Sequence, residues 1–132
     1  MIIALIPCRL HSKRLKKKAL LKIENLPVIT HVLKRAKLCN ALDKIVVCTN
    51  SNKIIKEVKS NKCLYFKSKK KHNNGTERIA EYPVSKKVKY IIDIQADEPL
   101  FNPKSIEELI KFHKENPKFD IVIPSVKIKN SK

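Results

Sequence analysis

The chain has 132 residues, which is the size of one domain, and it carries a formal net charge of +18. No apolar run approaches the roughly 20 residues that span a bilayer, and the segment before Pro7 is too short for a signal peptide. We therefore expect a soluble, cytoplasmic protein whose residues 1–132 form one domain, without membrane insertion. The four cysteines show no C-x-x-C pair and no histidine at metal-ligand spacing, which predicts structural thiols.

The positive charge comes mostly from lysine, which is spread along nearly every segment. Only four of the 30 basic residues are arginine, whose planar fork is the better reader of bases and phosphates. A module that binds nucleic acid would also need stacking aromatic side chains, and the three Tyr and four Phe lie mostly in core-like runs. We expect no nucleic-acid partner, although a basic surface would still attract nucleotides by long-range steering.

Apolar runs and helical patterns alternate along the chain. Strands are predicted at residues 2–6, 44–49, 63–66, 89–95 and 120–126. Helices are predicted at residues 28–38, 51–60, 76–82 and 103–115, the last with Asn102 as its cap. This alternation is typical of an α/β fold, in which helices cover both faces of a parallel sheet.

Ligands of such sheets bind beyond the carboxyl ends of the strands. That rule selects three segments: the loop at residues 7–20, the loop before Thr76, and residues 95–99. The first loop contains seven possible donors: Arg9, Ser12, Lys13, Arg14, Lys16, Lys17 and Lys18. Donors at this density suit a triphosphate, although a solvated basic loop would have the same composition.

The other two segments also have two interpretations each. In residues 72–78, Gly75 lies just before a predicted helix start. The free N–H groups of that start can bind an anion or a base edge, whereas the alternative is an ordinary helix cap. Asp97 and Glu98 follow an apolar strand. A carboxylate there can hold Mg²⁺ through one oxygen while substrate phosphates supply the rest, whereas the alternative is a pair of surface acids near a turn.

Five segments of the sequence form an ordered set of motifs: I-P-C-R-L-H-S-K-R-L at 6–15, L-P-V-I-T-H-V at 26–32, I-V-V-C-T at 45–49, H-N-N-G-T-E-R at 72–78 and D-I-Q-A-D-E-P-L at 93–100. In this order and spacing they resemble the motifs of the 3-deoxy-manno-octulosonate cytidylyltransferases (CMP-Kdo synthetases). The resemblance implies a Rossmann-like three-layer nucleotidyltransferase domain with a mainly parallel sheet.

The resemblance also implies a reaction and a site. CMP would be transferred from CTP to 3-deoxy-manno-octulosonate, with release of pyrophosphate and with Mg²⁺ as cofactor, for lipopolysaccharide precursor synthesis. Arg9, Lys18 and Asp97 would be the catalytic residues, with Asp97 as the magnesium ligand at the α-phosphate. The implied nucleotide contacts are Arg9, Ser12 and Lys18 with nearby Arg14 for the phosphates, and Asn74, Gly75, Thr76 and Gln95 for the base and ribose.

The chain departs from the family's pattern at several positions. Residues 16–17 are Lys-Lys where the family has Pro-Gly, and residues 25–26 are Asn-Leu where it has Gly-Lys. Asn74 replaces a serine, and Ala96 replaces a glycine. Because glycine permits positive φ and close backbone approach, these changes bear on the grip on phosphate, although Asn25 tolerates a left-handed turn better than most residues.

Length is the larger departure, since the family's chains are about twice as long. Their second half carries sugar contacts, a further metal-binding aspartate and much of the dimer surface. The candidate partners are therefore a missing C-terminal half or a second copy of the chain. Two alternatives stay open: a non-catalytic nucleotide-binding fragment or subunit of such an enzyme, or a different sugar nucleotidyltransferase.

Overall fold

The computed structural model describes residues 1–12 and 14–128, so Lys13, one of the expected phosphate donors, lies outside the described residues. Six strands follow in chain order: β1 (Ile2–Pro7), β2 (Lys22–Ile23), β3 (Leu26–Pro27), β4 (Lys44–Thr49), β5 (Leu64–Lys67) and β6 (Tyr90–Asp93). Four of them form a parallel sheet in the order β5-β4-β1-β6, and β2 and β3 form a short antiparallel ribbon.

Four α-helices alternate with these strands: α1 (Val28–Lys37), α2 (Asn52–Ser60), α3 (Gly75–Ala80) and α4 (Pro103–Glu115). The predicted start of α4 is confirmed, because the Asn102 side chain accepts a hydrogen bond from Lys104 N–H at 3.0 Å and Pro103 occupies the first turn. Ser51 caps α2 in the same way. Within the described residues, no helix has the length and apolar content needed to cross a membrane.

Strand β1 is buried along its whole length because layers pack on both faces of the sheet. Ala4 and Ile6 belong to a core that includes the inner stripes of α1 and α2. Ile3 and Leu5 belong to a second core on the opposite face, against which Ile79 of α3 packs. The predicted α/β fold with a mainly parallel sheet is therefore confirmed.

The prediction of a strand at residues 120–126 is wrong. Residues 121–128 belong to no helix or strand, and Ile121 and Ile123 are 77% and 78% exposed. A groove of about 730 Å³ lies between this segment, β6 and α4, and within the described residues β6 hydrogen-bonds only to β1. The apolar composition favours a strand, but a strand needs a partner, and this segment does not pair with the open edge of β6.

Three turns place residues other than glycine in the left-handed region, one of them at Lys62 with φ 53°. Lys17 has φ 53°, and Glu24 and Asn25, which connect β2 to β3, have φ 49° and 64°. Positive φ at both central residues is the geometry of the two-residue hairpin turn that matches strand twist. Lys17 directly precedes the 3₁₀ turn Lys18–Leu20, so its conformation sets the direction in which Lys18 leaves the backbone.

We expect Lys17→Gly to raise the free energy of unfolding by about 0.5–1 kcal/mol, because glycine removes the clash between Cβ and backbone at positive φ. Lys16→Gly is the matched control. Lys16 is not in the left-handed region, so glycine there should lower the free energy of unfolding by up to about 1 kcal/mol through added unfolded-state entropy. Urea unfolding midpoints measure both effects, and destabilisation by both variants would contradict the expectation.

Candidate functional site

A cavity of about 290 Å³ opens at the carboxyl ends of β1 and β6. The three segments selected from the sequence all contribute to its wall. The lining residues are Pro7, Cys8, Arg9, Ser12, Lys18, Ala19, His72, Asn73, Asn74, Gly75, Arg78, Gln95, Ala96 and Asp97. The fold therefore brings together side chains that are as far apart in sequence as Arg9 and Asp97.

Most of the expected site residues lie on this cavity. The expected residues that line it are Arg9, Ser12, Lys18, Asn74, Gly75, Gln95 and Asp97. Arg14 lines an adjoining cavity that shares Arg9, Ser12, Lys18 and Asp97 with the first. Thr76 lines neither cavity and instead borders the groove beside β6. Gln95, which belongs to the same predicted group as Thr76, lines both the cavity and this groove.

Lys18 and Asp97 form an ion pair across the mouth of the cavity. Lys18 Nζ donates to Asp97 Oδ2 at 2.7 Å, and the two side chains are 43% and 52% exposed. A pair this open to water contributes little to stability. The ion pair can therefore open when a ligand binds. Lys18 could then contact a phosphate oxygen, and Asp97 could contact a cation.

Gly75 lets the start of α3 pack against the end of β1. A Cβ built at Gly75 would lie 3.0 Å from Pro7 Cγ and 3.3 Å from Pro7 Cβ. The proline ring cannot swing aside as a long side chain could, so any larger residue would push α3 away from the sheet. The close approach explains why a glycine stands at this position.

The Asn74 side chain is already engaged as the cap of α3. Its Oδ1 accepts from Glu77 N–H at 2.9 Å, and Glu77 Oε2 in turn accepts from Asn73 N–H at 2.9 Å. The pattern differs from a capping box, because Glu77 accepts from the residue before the N-cap and not from the N-cap itself. The capping interpretation of this segment therefore holds for the Asn74 side chain, although the residue also lines the cavity.

Glu81 fastens the loop that carries residues 72–74 to the end of α3. Its carboxylate accepts from Lys69 N–H at 2.9 Å and contacts His72 Nε2 at 2.5 Å. The hydrogen bond from Lys69 is the largest effect that lowers the pKa of Glu81, and the bond with His72 lowers it further. The carboxylate is therefore charged at neutral pH, and it holds the loop against the cavity.

Sequence reasoning missed Arg78, which lines the cavity from α3. Its residue is 5% exposed, and Nη1 has no hydrogen-bond partner among the described residues. A signal was present, because Arg78 follows Gly75 by three positions and so lies on nearly the same side of a helix. Arg78 also belongs to the G-T-E-R block at residues 75–78, which resembles a motif of the family, but the resemblance implied no role for it.

One carboxylate in the cavity could contact a metal ion. Asp97 is the sole acid among the lining residues, and no group of three or more His, Cys, Asp or Glu among the described residues could hold a metal by itself. Mg²⁺ at nucleotide sites is usually held by one or two carboxylates together with substrate phosphates. The half-exposed carboxylate of Asp97 fits that kind of site, and not a site built from protein ligands alone.

The family profile described as "Cytidylyltransferase" matches residues 3–132 of the chain. The chain belongs to the cytidylyltransferase family. Among its relatives are proteins named 3-deoxy-manno-octulosonate cytidylyltransferase, at 37% identity over 116 residues in Wigglesworthia glossinidia brevipalpis and at 42% identity over 116 residues in Fusobacterium nucleatum. Each match covers 86% of this cytidylyltransferase chain and 47% or 46% of the relative, so the chain spans about half the length of these relatives.

Solved structures agree with this family assignment. A structure titled CMP:2-keto-3-deoxy-manno-octonic acid synthetase complexed with CTP has a TM-score of 0.79 at 30% identity, covering 88% of this chain and 48% of that one. A cytidylyltransferase from Leptospira borgpetersenii has a TM-score of 0.76 at 23% identity, covering 87% and 49%, and shows a shared fold. The cytidylyltransferase fold thus extends over most of the described chain.

We expect the loop with residues 72–74 to loosen at low pH, because the pKa of Glu81 is lowered in the folded chain. Such a carboxylate stabilises its folded contacts at pH values above the usual pKa of glutamate, and the stabilisation is lost as the pH falls through the folded-state pKa. Glu81→Ala should speed hydrogen exchange at the Lys69 amide about fivefold at neutral pH, as expected for one lost hydrogen bond. Glu115→Ala, at the exposed end of α4, is the control and should leave that amide unchanged. Equal protection in the parent chain and in Glu81→Ala would contradict the anchoring role.

Proposed function

We propose that the chain binds CTP with Mg²⁺ and supplies the nucleotide-binding half of a 3-deoxy-manno-octulosonate cytidylyltransferase. The observation that carries the proposal is the convergence of three strand-end segments on one cavity. The proposal is supported by relatives that bear this enzyme's name and by a similar solved structure that contains CTP. The reaction would take place in the cytoplasm and would activate a sugar acid for lipopolysaccharide synthesis.

In this proposal the protein works by positioning and by charge neutralisation. The sugar hydroxyl loses its proton to water, its oxygen bonds to the α-phosphorus of CTP, and the bond from that phosphorus to the β-phosphate oxygen breaks, so that pyrophosphate leaves. Arg9 and Lys18 bind the phosphates and stabilise the charge that builds up on the departing pyrophosphate. Ser12 donates a further hydrogen bond, and Arg14 faces the outer phosphates from the adjoining cavity.

Asp97 would hold Mg²⁺, and the ion would supply additional neutralisation of the phosphate oxygens. Lys18 is available to the phosphates, because its exposed ion pair with Asp97 is weak enough to open. Asn74, Gly75 and Gln95 face the base and the ribose. Thr76, the fourth residue predicted for this group, lies beside the groove along β6, which Gln95 also lines.

We expect Asp97→Asn to remove most of the gain in CTP affinity that Mg²⁺ provides, a loss of about tenfold or more, because the amide cannot hold the cation. Metal-free CTP binding should persist or rise slightly, since Lys18 loses its ion-pair partner. The control is Glu98→Gln, whose side chain lies on the other groove and should keep the gain. Calorimetric titration with and without Mg²⁺ measures both, and equal losses in the two variants would count against Asp97.

The described cavity holds candidate groups for the nucleotide and for one metal contact. It offers no second acid, and the relatives are about twice as long. Misplacement of reacting groups by about an ångström can cost on the order of a hundredfold in rate. We therefore expect residues 1–132 alone to bind Mg·CTP weakly, in preference to ATP and GTP, and to form little or no CMP-Kdo.

Turnover assays and competition binding at fixed salt test this expectation. Addition of the second half of a relative, such as the Fusobacterium enzyme, should restore activity if the two halves associate. Robust turnover by the chain alone would overturn the expectation of incompleteness. Displacement of CTP by equal concentrations of ATP or GTP would leave only a general polyphosphate site, and it would contradict the proposed function.

A further inference from the structure

The groove along β6 combines an open strand edge with an exposed apolar segment. Within the described residues, β6 hydrogen-bonds only to β1, so the backbone groups on its other edge are available to a further strand. The start of the 121–128 segment forms the opposite wall. The apolar side chains of this segment are between 77% and 89% exposed at Ile121, Ile123, Val126 and Ile128. The groove therefore has an edge that accepts a strand, and beside it lies a segment with the composition of one.

The 121–128 segment does not reach β6 of its own chain, because the residues before it are fastened to α4. His113 Nε2 hydrogen-bonds to Phe119 O at 2.7 Å, and Phe119 N–H donates to Asn116 O at 3.2 Å. From this anchor the segment runs along the far wall, and a groove of about 730 Å³ separates it from the strand. A segment supplied by another chain is not subject to this tether.

The groove differs from the rest of this basic protein in its charge. Lysine and arginine make up 30 of the 132 residues, yet the described residues that line the groove include neither. The carboxylates that line it are Asp93, Glu98 and Asp120. Burial raises the pKa of Asp93, and the charge of Glu98 also raises it, although the hydrogen bond from Gln95 lowers it. The groove thus carries negative charge that a basic group from a partner would offset.

The other edge of the sheet is guarded by lysine. Strand β5 contains Lys67, and Lys59 Nζ lies 5.3 Å from the centre of the Tyr65 ring. Lysine on an edge strand opposes pairing with another chain, because the added strand would cover its charge. Two copies of a protein with a net charge of +18 also repel each other over most of their surface. A face whose described lining contains no lysine is where a second copy approaches at the lowest electrostatic cost.

We propose that two copies of the chain associate through this groove, each placing its 121–128 segment along β6 of the other. Exchange of identical elements is a low-cost route to dimers. The segment complements the groove, since its apolar residues cover the apolar wall and the exposed Lys127 brings a cation to the acids. Pro124 donates no backbone hydrogen bond, which suits a strand that becomes the new edge of the sheet.

Sedimentation velocity of the full 132-residue chain over a concentration series tests the proposal. The parent should form a dimer that tightens as salt is raised to physiological ionic strength, because salt screens the repulsion between surface lysines. Ile91→Lys on β6 and Ile123→Asp on the segment should each weaken the dimer about tenfold or more, since each buries an unpaired charge in the contact. Ile91 and Ile123 are 43% and 78% exposed, so the melting temperature of the monomer should stay close to that of the parent.

Two matched controls lie outside the groove. Leu64→Lys on β5 and Leu38→Asp just after α1 change residues that are 52% and 66% exposed, and both should leave the dimer unchanged. A mixture of Ile91→Lys and Ile123→Asp chains should associate more tightly than either variant alone, because one intact segment then meets one intact β6. Pairing of two β6 edges without the segment would leave Ile123→Asp as tight as the parent, and it would overturn the exchange.

Three further outcomes would reject the proposal. The first is a parent chain that stays monomeric at every concentration, and the second is a dimer that keeps its affinity in both Ile91→Lys and Ile123→Asp. The third is a monomeric chain that binds the second half of a relative and loses that binding in Ile91→Lys, which would assign the groove to that half. Because none of these measurements uses CTP, their outcome does not depend on the proposed nucleotide site.

Discussion

The site depends on β1, the strand that has a parallel neighbour on each side and a packed layer on each face. Its backbone groups pair with β4 and β6, and its side chains are buried from Ile2 to Pro7. A strand held in this way fixes the point at which the chain leaves the sheet. Because β6 runs parallel to β1, it ends at the same edge. Arg9 and Gln95 reach the same cavity because both follow strands that run side by side.

The placement of charged side chains, and not their number, gives this edge of the sheet its chemical character. A protein with a net charge of +18 has no shortage of cations, so attraction of a polyphosphate requires no special arrangement. Placement distinguishes the cavity from the remaining surface. Lys18 is held toward Asp97, the loop with residues 72–74 is fastened by Glu81, and Arg78 is buried without a partner among the described residues. These three arrangements require particular geometry, whereas the scattered surface lysines do not.

Much of this arrangement could be read from the sequence, because local patterns and the parallel-sheet rule agree. The strand at residues 44–49 and the helix start at Pro103 match their predicted positions. The prediction of a strand at 120–126 failed because the apolar composition of a segment does not show whether it has a strand to pair with. Helix geometry explains the different positions of Thr76 and Arg78: one residue beyond Gly75 turns about 100° around the axis, whereas three residues nearly complete the turn. Arg78 therefore shares the cavity with Gly75, and Thr76 does not.

The single glycine shows which of glycine's two properties the fold cannot replace. Lys17 and Asn25 have left-handed backbone geometry, which costs on the order of 1–2 kcal/mol at lysine and less at asparagine. Such a conformational cost can be met elsewhere in the fold. Gly75 has no positive φ and is needed for another reason, since a Cβ there would meet the rigid ring of Pro7 at 3.0 Å. Steric exclusion has no comparable substitute. A chain with a single glycine can therefore form left-handed turns with other residues, but α3 approaches β1 this closely only with glycine at position 75.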